Sequence, residues 1–247
     1  MDDIYAKCWH PQYEKARKEL EDILPFHEDF FTYYKEVDEK LRTADLYGKT
    51  VLVTKKQFPE IYELSKELQI EDIPIYIYED FYYGVEAKGA TTPWIEISAK
   101  TVNDLSLKEI KFLLARQAFR IENDCMKLDA VGNQAYKFLK DGIFSSDALA
   151  KSALLKFAKW SRLLNYSADN FGYTQTMDLS ACIRSILILI LNNIDLAKKI
   201  NLPDYLAQAE KINELTDIVS IYTKADEKVP YGPFRIKNLI SFAMMEE

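Results

Sequence analysis

A helical segment that begins near Ser106 constrains the fold of this chain more than any other feature. Ser106 and Glu109 form a capping box ahead of an apolar run, which fixes the start of the helix. At about 100° per residue, apolar side chains cover most of its circumference and polar side chains form one strip. A helix of this kind is deeply buried, so the chain must build a core around it. The strip consists of Glu109, Arg116, Gln117, Arg120, Asn123, Asp124 and Lys127.

The polar strip has two interpretations. In the first it faces water, and Arg116 and Arg120 are ordinary surface residues. In the second it lines a cleft, where each guanidinium needs an anionic or hydrogen-bonding partner because an unpaired buried charge is costly. Two like charges at this spacing destabilise an isolated helix by roughly 0.2–0.5 kcal/mol, and Asp124 offsets part of that cost. Helix statistics alone favour the water-facing interpretation.

A second polar stripe lies further along the chain. Arg162, Asn165 and Asp169 share one face of a helix that is predicted to begin at about Asp147. This stripe is either a solvated face with local pairs, or it faces the first strip. In the second case we expect Asp169 to lie near Arg116 or Arg120.

The remaining pattern predicts an α+β fold that is mostly helical. Short alternating runs with glycine punctuation predict a small antiparallel sheet with hairpin connections, and helical spacing dominates from Ser106 to the C-terminus, which predicts a helical bundle. We expect residues 1–247 to form a single domain. The other predicted elements are helices over Pro11–Leu24 and Glu28–Leu41, a helix that opens near Pro59, and strands over residues 50–54, 73–78 and 94–98.

Composition excludes several classes of protein. The net charge of −7 arises from 32 basic and 39 acidic residues without a basic stripe, which argues against nucleic acid as a partner. The longest apolar stretch, residues 185–191, is far shorter than the roughly 20 residues of a membrane helix and is predicted to be a buried core helix. Acidic residues at the start argue against a secretory signal, and Cys8, Cys125 and Cys182 lie far apart, so a cytoplasmic location is expected.

Two segments carry a resemblance to a known family. "LSLKEIKFLLARQAFRIENDCMKL", residues 105–128, resembles the zinc helix of the HtpX-like peptidases, the gluzincin family that includes the CAAX prenyl endopeptidases. In that helix two histidines flank a glutamate. "WSRLLNYSADNFG", residues 160–172, resembles the family's second motif, which supplies the third zinc ligand. Trp160, Arg162 and Asp169 stand in their family places.

Further segments agree in order. "GVEAKGATTPWIEIS", residues 84–98, resembles the hairpin and strand beside the family's active cleft, with Glu86 where asparagine is usual. "VPYGPFRIKNLISF" resembles the C-terminal segment, with Tyr231 and Gly232 in place of His-Pro and with Arg235 kept. The resemblance covers residues 10–242 and leaves 1–9 as an N-terminal extension. It implies a zincin-like metallopeptidase fold.

The family chemistry is replaced at every key position. Arg116 and Arg120 stand where the resemblance places the two histidine ligands, Gln117 stands at the general base, and Asn165 stands at the third ligand. Zinc needs lone pairs from imidazole, carboxylate or thiolate, and a guanidinium has none. An amide takes up no proton near neutral pH, so Gln117 cannot act as a base. We therefore expect no catalytic residue, no metal and no cofactor.

Several functions remain open on this basis. The leading prediction is a pseudopeptidase that binds a protein or peptide partner, for instance by adding a strand to a sheet edge. The alternative is a sensor or enzyme that binds a small anion through Arg116, Arg120 and Arg162, with Asn165 as a donor. Residual peptidase activity and a purely structural role, such as dimerisation, are further alternatives.

Overall fold

The structure is a computed structural model that describes residues 2–23, 39–141 and 148–246. The chain divides into two compact units, and each is built from separate stretches of sequence. Unit 1 comprises Met1–Phe26, Leu128–Asn170 and Ile200–Glu247, and unit 2 comprises His27–Lys127 and Phe171–Lys199.

Helices dominate both units, and a small sheet lies in unit 2. In chain order the elements are α1 (Asp2–Cys8), α2 (Tyr13–Glu21), α3 (Glu39–Lys49), β1 (Thr50–Leu52), α4 (Pro59–Glu67), β2 (Ile75–Tyr78), β3 (Val85–Lys88), β4 (Trp94–Ser98), α5 (Ala99–Asp104), α6 (Leu107–Glu122), α7 (Cys125–Asp141), α8 (Ala148–Thr176), α9 (Leu179–Leu191), α10 (Ile194–Ala197), α11 (Leu202–Glu214), α12 (Ile218–Asp226) and α13 (Gly232–Glu246).

The sheet has the strand order β1-β2-β4-β3. Strand β1 runs antiparallel to β2, and β3 runs antiparallel to β4, but β2 and β4 are parallel. The predicted small sheet is present, and the prediction that it is wholly antiparallel is wrong. The chain leaves β2, forms β3 at the edge, and returns as β4 between them. Alternation of apolar residues specifies a strand and its buried face, and it does not specify which strand becomes the neighbour.

Helix α6 begins as its sequence predicts. The Ser106 side chain accepts a hydrogen bond from the main chain of Glu109, and the Glu109 carboxylate accepts one from the main chain of Ser106. The helix ends at Glu122, and Asp124 adopts the left-handed conformation with φ 54°. The predicted strip is therefore wrong beyond that point, because Asp124 and Lys127 do not continue the same helix.

The core of unit 1 forms around α8. Trp160 on this helix is fully buried, and its ring lies 5.8 Å from that of Phe157 and 6.5 Å from that of Tyr13 on α2. Gly132 on α7 allows the helix to approach Phe157 closely, since a Cβ at Gly132 would lie 2.1 Å from a ring carbon. The tryptophan that resembles a family motif residue is thus a core residue in this chain.

Several other predictions are corrected or fall outside the structure. The helix predicted over Glu28–Leu41 lies mostly outside the described residues, and α3 ends at Lys49, directly before β1. In α9 the apolar run is buried through residue 188, but Ile190 and Leu191 are exposed because the helix ends at Asn192. Within the described ranges, no helix combines the length and apolar character needed to cross a bilayer.

Candidate functional site

Gln117 is the best-defined of the predicted site residues. It lies on α6 in unit 2 and is only 4% exposed. Its side-chain Oε1 accepts a hydrogen bond from the main-chain N–H of Ala87 at 3.1 Å. Its Nε2 donates to the main-chain carbonyl of Val85 at 2.9 Å. The amide at the position of the family's general base is therefore bound to strand β3.

Strand β3 is an edge strand, so one side of its main chain pairs with β4 and the other side faces away from the sheet. Ser98 on β4 donates to the carbonyl of Gly84, and Glu86 lies directly opposite Glu96. In an antiparallel pair the bonded residues alternate, so the main-chain groups of Glu86 point to β4. The main-chain groups of Val85 and Ala87 point to the outer edge, where no strand of the sheet pairs with them. Gln117 thus occupies a carbonyl and an N–H that an added strand would use.

The side chain of Glu86 points to the face of the sheet opposite to those of Val85 and Ala87. It is exposed and forms an ion pair with Lys88. Glu96 lies across the strand pair from it and accepts a hydrogen bond from the Trp94 indole at 2.8 Å. Like charges directly opposite each other on a sheet are unfavourable. Lys88 offsets one of the two negative charges, so the β3–β4 pair keeps a net negative charge beside the β3 edge.

Arg116 and Arg120 are not ordinary surface residues. Arg116 is 6% exposed, and Arg120 is half-buried. Both have interaction partners within the chain. The water-facing interpretation of the strip is wrong for Arg116, because a buried guanidinium must be compensated by neighbouring groups.

Asp169 and Arg235 form a buried ion pair in unit 1. The Arg235 Nε and Nη2 atoms donate to the two carboxylate oxygens of Asp169, with Nη2 to Oδ1 at 2.7 Å. Asp169 is fully buried and Arg235 is 5% exposed. The expected partner of Asp169 was Arg116 or Arg120, and the structure brings Arg235 to both of its oxygens. Tyr231 lies one turn before Arg235 and accepts a hydrogen bond from its main chain at 3.0 Å.

Arg162 and Asn165 have local structural roles. The Arg162 Nη1 donates to the carbonyl of Ala225 at 2.7 Å and to that of Glu227, at the end of α12. Burial lowers the pKa of Arg162, although Tyr166 and Glu227 oppose the shift. Asn165 donates to the carbonyl of Ser161 at 2.9 Å, one turn earlier on α8. Both side chains are therefore used to hold helix main chain.

Sequence analysis missed several of the contacts in this region. It placed Gln117 at a catalytic position but did not find its main-chain partners on β3, because the pairing register of β3 with β4 decides that the main-chain groups of Val85 and Ala87 face outward. It also missed Arg184, whose Nε donates to the Glu109 carboxylate at 2.5 Å. Gln57 was missed as well; its Nε2 donates to the carbonyl of Leu52 on β1, the other edge strand, at 3.1 Å.

The positions that the resemblance assigns to zinc ligands do not fit a zinc ion. Arg116 and Arg120 offer no lone pair, and Asn165 offers at most a neutral oxygen. Among the residues that the structure describes, no group of three or more histidine, cysteine, aspartate or glutamate side chains is arranged to hold a metal. The metal that the resemblance implies therefore has no donor set at these positions.

The likeness to the HtpX-like peptidases rests on short segments and their order along the chain. Two of those segments form helices, α6 and α8, and a third forms the β3–β4 pair. No protein-family model, curated protein or solved structure matches this chain. The family assignment therefore stays a proposal.

Proposed function

We propose that this protein is a non-catalytic relative of the HtpX-like peptidases that holds an extended segment of a protein or peptide partner without cutting it. The observation that carries the proposal is the binding of the Gln117 amide to Val85 and Ala87. The position that would carry the general base holds a group that takes up no proton, and that group is used to hold a strand.

The neighbouring positions support a non-catalytic role. Arg116 is a permanent cation that repels a metal, and it is buried where a ligand would be required. The Asn165 amide is used within α8. Peptide cleavage by this family needs a metal-held water and a base, and neither requirement is met by these side chains.

The binding role is supported by the edge of β3. An extended peptide can add to an exposed sheet edge through main-chain hydrogen bonds, with side chains setting specificity. Glu86 and Glu96 outnumber the single cation Lys88 beside that edge, on a protein with net charge −7. Electrostatic complementarity therefore favours a partner segment that carries lysine or arginine.

The small-anion alternative loses support from the contacts of its own residues. Arg162 is bound to the carbonyls of Ala225 and Glu227, and Asn165 is bound to Ser161. These are two of the four donors that the alternative named, and the other two, Arg116 and Arg120, also have partners within the chain. We therefore do not propose an anion site.

Metal content, cleavage and binding test the proposal together. We expect purified protein to contain no stoichiometric zinc and to leave unstructured peptides uncut, with or without a chelator. We expect it to bind a short fluorescent peptide of alternating valine and threonine with a lysine at each end, measured by fluorescence anisotropy. The control is the same peptide with N-methylated main-chain amides, which cannot pair with a strand. Chelator-sensitive cleavage, or equal binding of the N-methylated peptide, would contradict the proposal.

A further inference from the structure

We infer that Gln117 is an internal substitute for a partner strand, so that a peptide can pair with the β3 edge only by displacing the Gln117 side chain. This inference rests on the proposed function. It goes further by assigning a closed state to the binding edge and by naming the group that closes it.

The hydrogen bonds of Gln117 are the ones that a partner strand would make. When a strand adds in parallel, one of its residues pairs with a residue of the edge strand. Its N–H donates to the carbonyl of the residue before that neighbour, and its carbonyl accepts from the N–H of the residue after it. The Gln117 amide makes the same two bonds, to the Val85 carbonyl and the Ala87 N–H, which flank Glu86. One side-chain amide thus satisfies the two main-chain groups that a docking peptide would need at this place.

The chemistry requires an amide in this role. A glutamate could accept from the Ala87 N–H but could not donate to the Val85 carbonyl, since an ionised carboxylate has no donor. An alanine would leave both main-chain groups unsatisfied in a buried setting, which is unfavourable until another partner arrives. Gln117 is therefore matched to the closed edge, whereas the glutamate of the family motif is not.

The closed edge is also exchangeable. The side chain reaches β3 from α6 through rotatable bonds, and because it is only 4% exposed, it must leave a buried site before the edge can open. Its two bonds are neutral, and a peptide would replace each with an equivalent main-chain bond. When only the open fraction binds, the apparent Kd equals the intrinsic Kd divided by that fraction. Removal of the amide should therefore strengthen peptide binding.

The opposite edge of the same sheet supplies a matched control. The Gln57 Nε2 atom donates to the carbonyl of Leu52 on β1. Gln57→Ala removes a side-chain amide that binds the main chain of β1, the other edge strand. An effect that is specific to the β3 edge must appear with Gln117→Ala and be absent with Gln57→Ala.

Two measurements test the inference. The first is amide hydrogen exchange at Ala87 in the free protein, where we expect Gln117→Ala to exchange at least about tenfold faster than wild type. The second is the affinity for the fluorescent valine–threonine peptide, where we expect Kd to fall about tenfold in Gln117→Ala. Gln57→Ala is expected to match wild type in both measurements. If Gln117→Ala does not fold, Gln117→Met keeps the volume, removes the amide, and is expected to show the same change in Ala87 exchange.

The outcomes separate this inference from the proposed function. Equal exchange at Ala87 in wild type and in the Gln117 variants overturns the closed edge. Equal peptide affinity in wild type and Gln117→Ala overturns the displacement, while peptide binding as such still stands. Binding of the peptide by neither protein overturns the proposed function and the displacement together. Faster exchange at Ala87 would then still confirm that Gln117 closes the edge.

Discussion

At the scale of single residues, burial decides what the polar side chains of this protein do. The sequence presents Gln117, Asn165 and Asp169 as remnants of a metal site, and each of them is used to hold neighbouring structure. That a guanidinium cannot ligate zinc follows from the residue type alone. The sequence does not predict which main-chain groups or side chain Gln117 and Asp169 will reach, because those partners lie far away along the chain.

A glutamate in place of Gln117 is predicted to destabilise the protein. In Gln117→Glu the carboxylate faces the Val85 carbonyl and cannot donate to it, so we expect the free energy of unfolding at pH 7 to fall by about 1–3 kcal/mol. Burial favours the neutral acid and raises the pKa of this carboxyl in the folded state. The deficit relative to wild type is therefore largest near neutral pH. It disappears as the pH falls below the ordinary glutamate value of about 4.3.

Urea unfolding of Gln117→Glu and wild type between pH 4 and pH 7 measures this deficit. The matched control is Gln57→Glu, which introduces the same charge at an exposed residue whose side chain binds the other edge strand. Equal stability of Gln117→Glu and wild type across this range would show that the amide is not needed for the β3 contact.

The buried pair of Asp169 and Arg235 gives a second prediction. Asp169→Asn keeps the shape of the side chain but leaves a buried guanidinium without its carboxylate, and we expect a loss of about 3–5 kcal/mol in the free energy of unfolding. Chemical denaturation measures the loss. Asp195→Asn is the control, since Asp195 pairs with Lys198 while 83% exposed, and we expect a change below about 1 kcal/mol there. Similar losses in the two variants would contradict the prediction.

At the scale of elements, the termini of helices follow from local sequence better than the order of strands does. The capping box at Ser106 and the start of α4 at Pro59 follow from residues next to each other in the chain. The parallel pairing of β2 with β4 depends on where β3 is placed, and no local pattern carries that information. The prediction that residues 185–191 are all buried is wrong at Ile190 and Leu191 for a similar reason. A run of apolar residues does not show which of them will pack against a neighbouring element.

The start of α6 is predicted to depend on pH. Burial alone would raise the pKa of Glu109, but hydrogen bonds from Ser106 and Arg184 outweigh it, and the pKa is lowered. A group with a lowered folded-state pKa stabilises the protein above its unfolded value, and that contribution is lost as the pH falls through the folded-state value. We therefore expect Glu109→Gln to cost roughly 1–3 kcal/mol at pH 7 and progressively less below about pH 4.3.

Denaturation midpoints of Glu109→Gln and wild type, followed from pH 7 down to acid, check this dependence. Glu63→Gln serves as the control, since Glu63 forms an exposed pair with Lys66. A constant gap between Glu109→Gln and wild type at all pH values would mean that the ionised carboxylate is not the stabilising form.

Helix α12 offers a prediction about local opening. None of its residues is buried, and Arg162 binds carbonyls at its C-terminal end. Removing a charged donor from such a site costs about 1.5–3 kcal/mol, so Arg162→Met should speed amide exchange in Ile218–Asp226 by about tenfold or more. Arg184→Met is the control and should leave this helix unchanged. Uniform acceleration across the chain in Arg162→Met would indicate global destabilisation instead.

At the scale of the whole molecule, the sequence predicts a single domain, and the structure contains two compact units. Helices α7 and α8 each begin in one unit and continue into the other. A helix propagates cooperatively, so melting one half weakens the other. We therefore expect both units to unfold in one transition, in agreement with the single-domain prediction.

Two glycines test this expectation, one in each unit. A Cβ at Gly132 would lie 2.1 Å from the Phe157 ring, and a Cβ at Gly172 would lie 2.6 Å from the Phe112 ring. Overpacking costs about 1–3 kcal/mol and exceeds the gain of about 1 kcal/mol in helix propensity. We expect Gly132→Ala and Gly172→Ala to lower the midpoint of the same calorimetric transition. Gly48→Ala, with open space around it in α3, should be neutral or stabilising.

Two separate transitions, each lowered by only one of the two variants, would contradict the single-domain prediction. The comparison needs no knowledge of a ligand, because all three substitutions lie in helices and change only packing or propensity.

The glutamines at β1 and β3 have a consequence for how this protein behaves at high concentration. Unpaired strand edges are the places where one molecule templates another and fibrils begin. Here a side chain from the same molecule already covers part of each outer strand. Self-assembly through the sheet requires these hydrogen bonds to break first, so we expect the two amides to slow fibril growth.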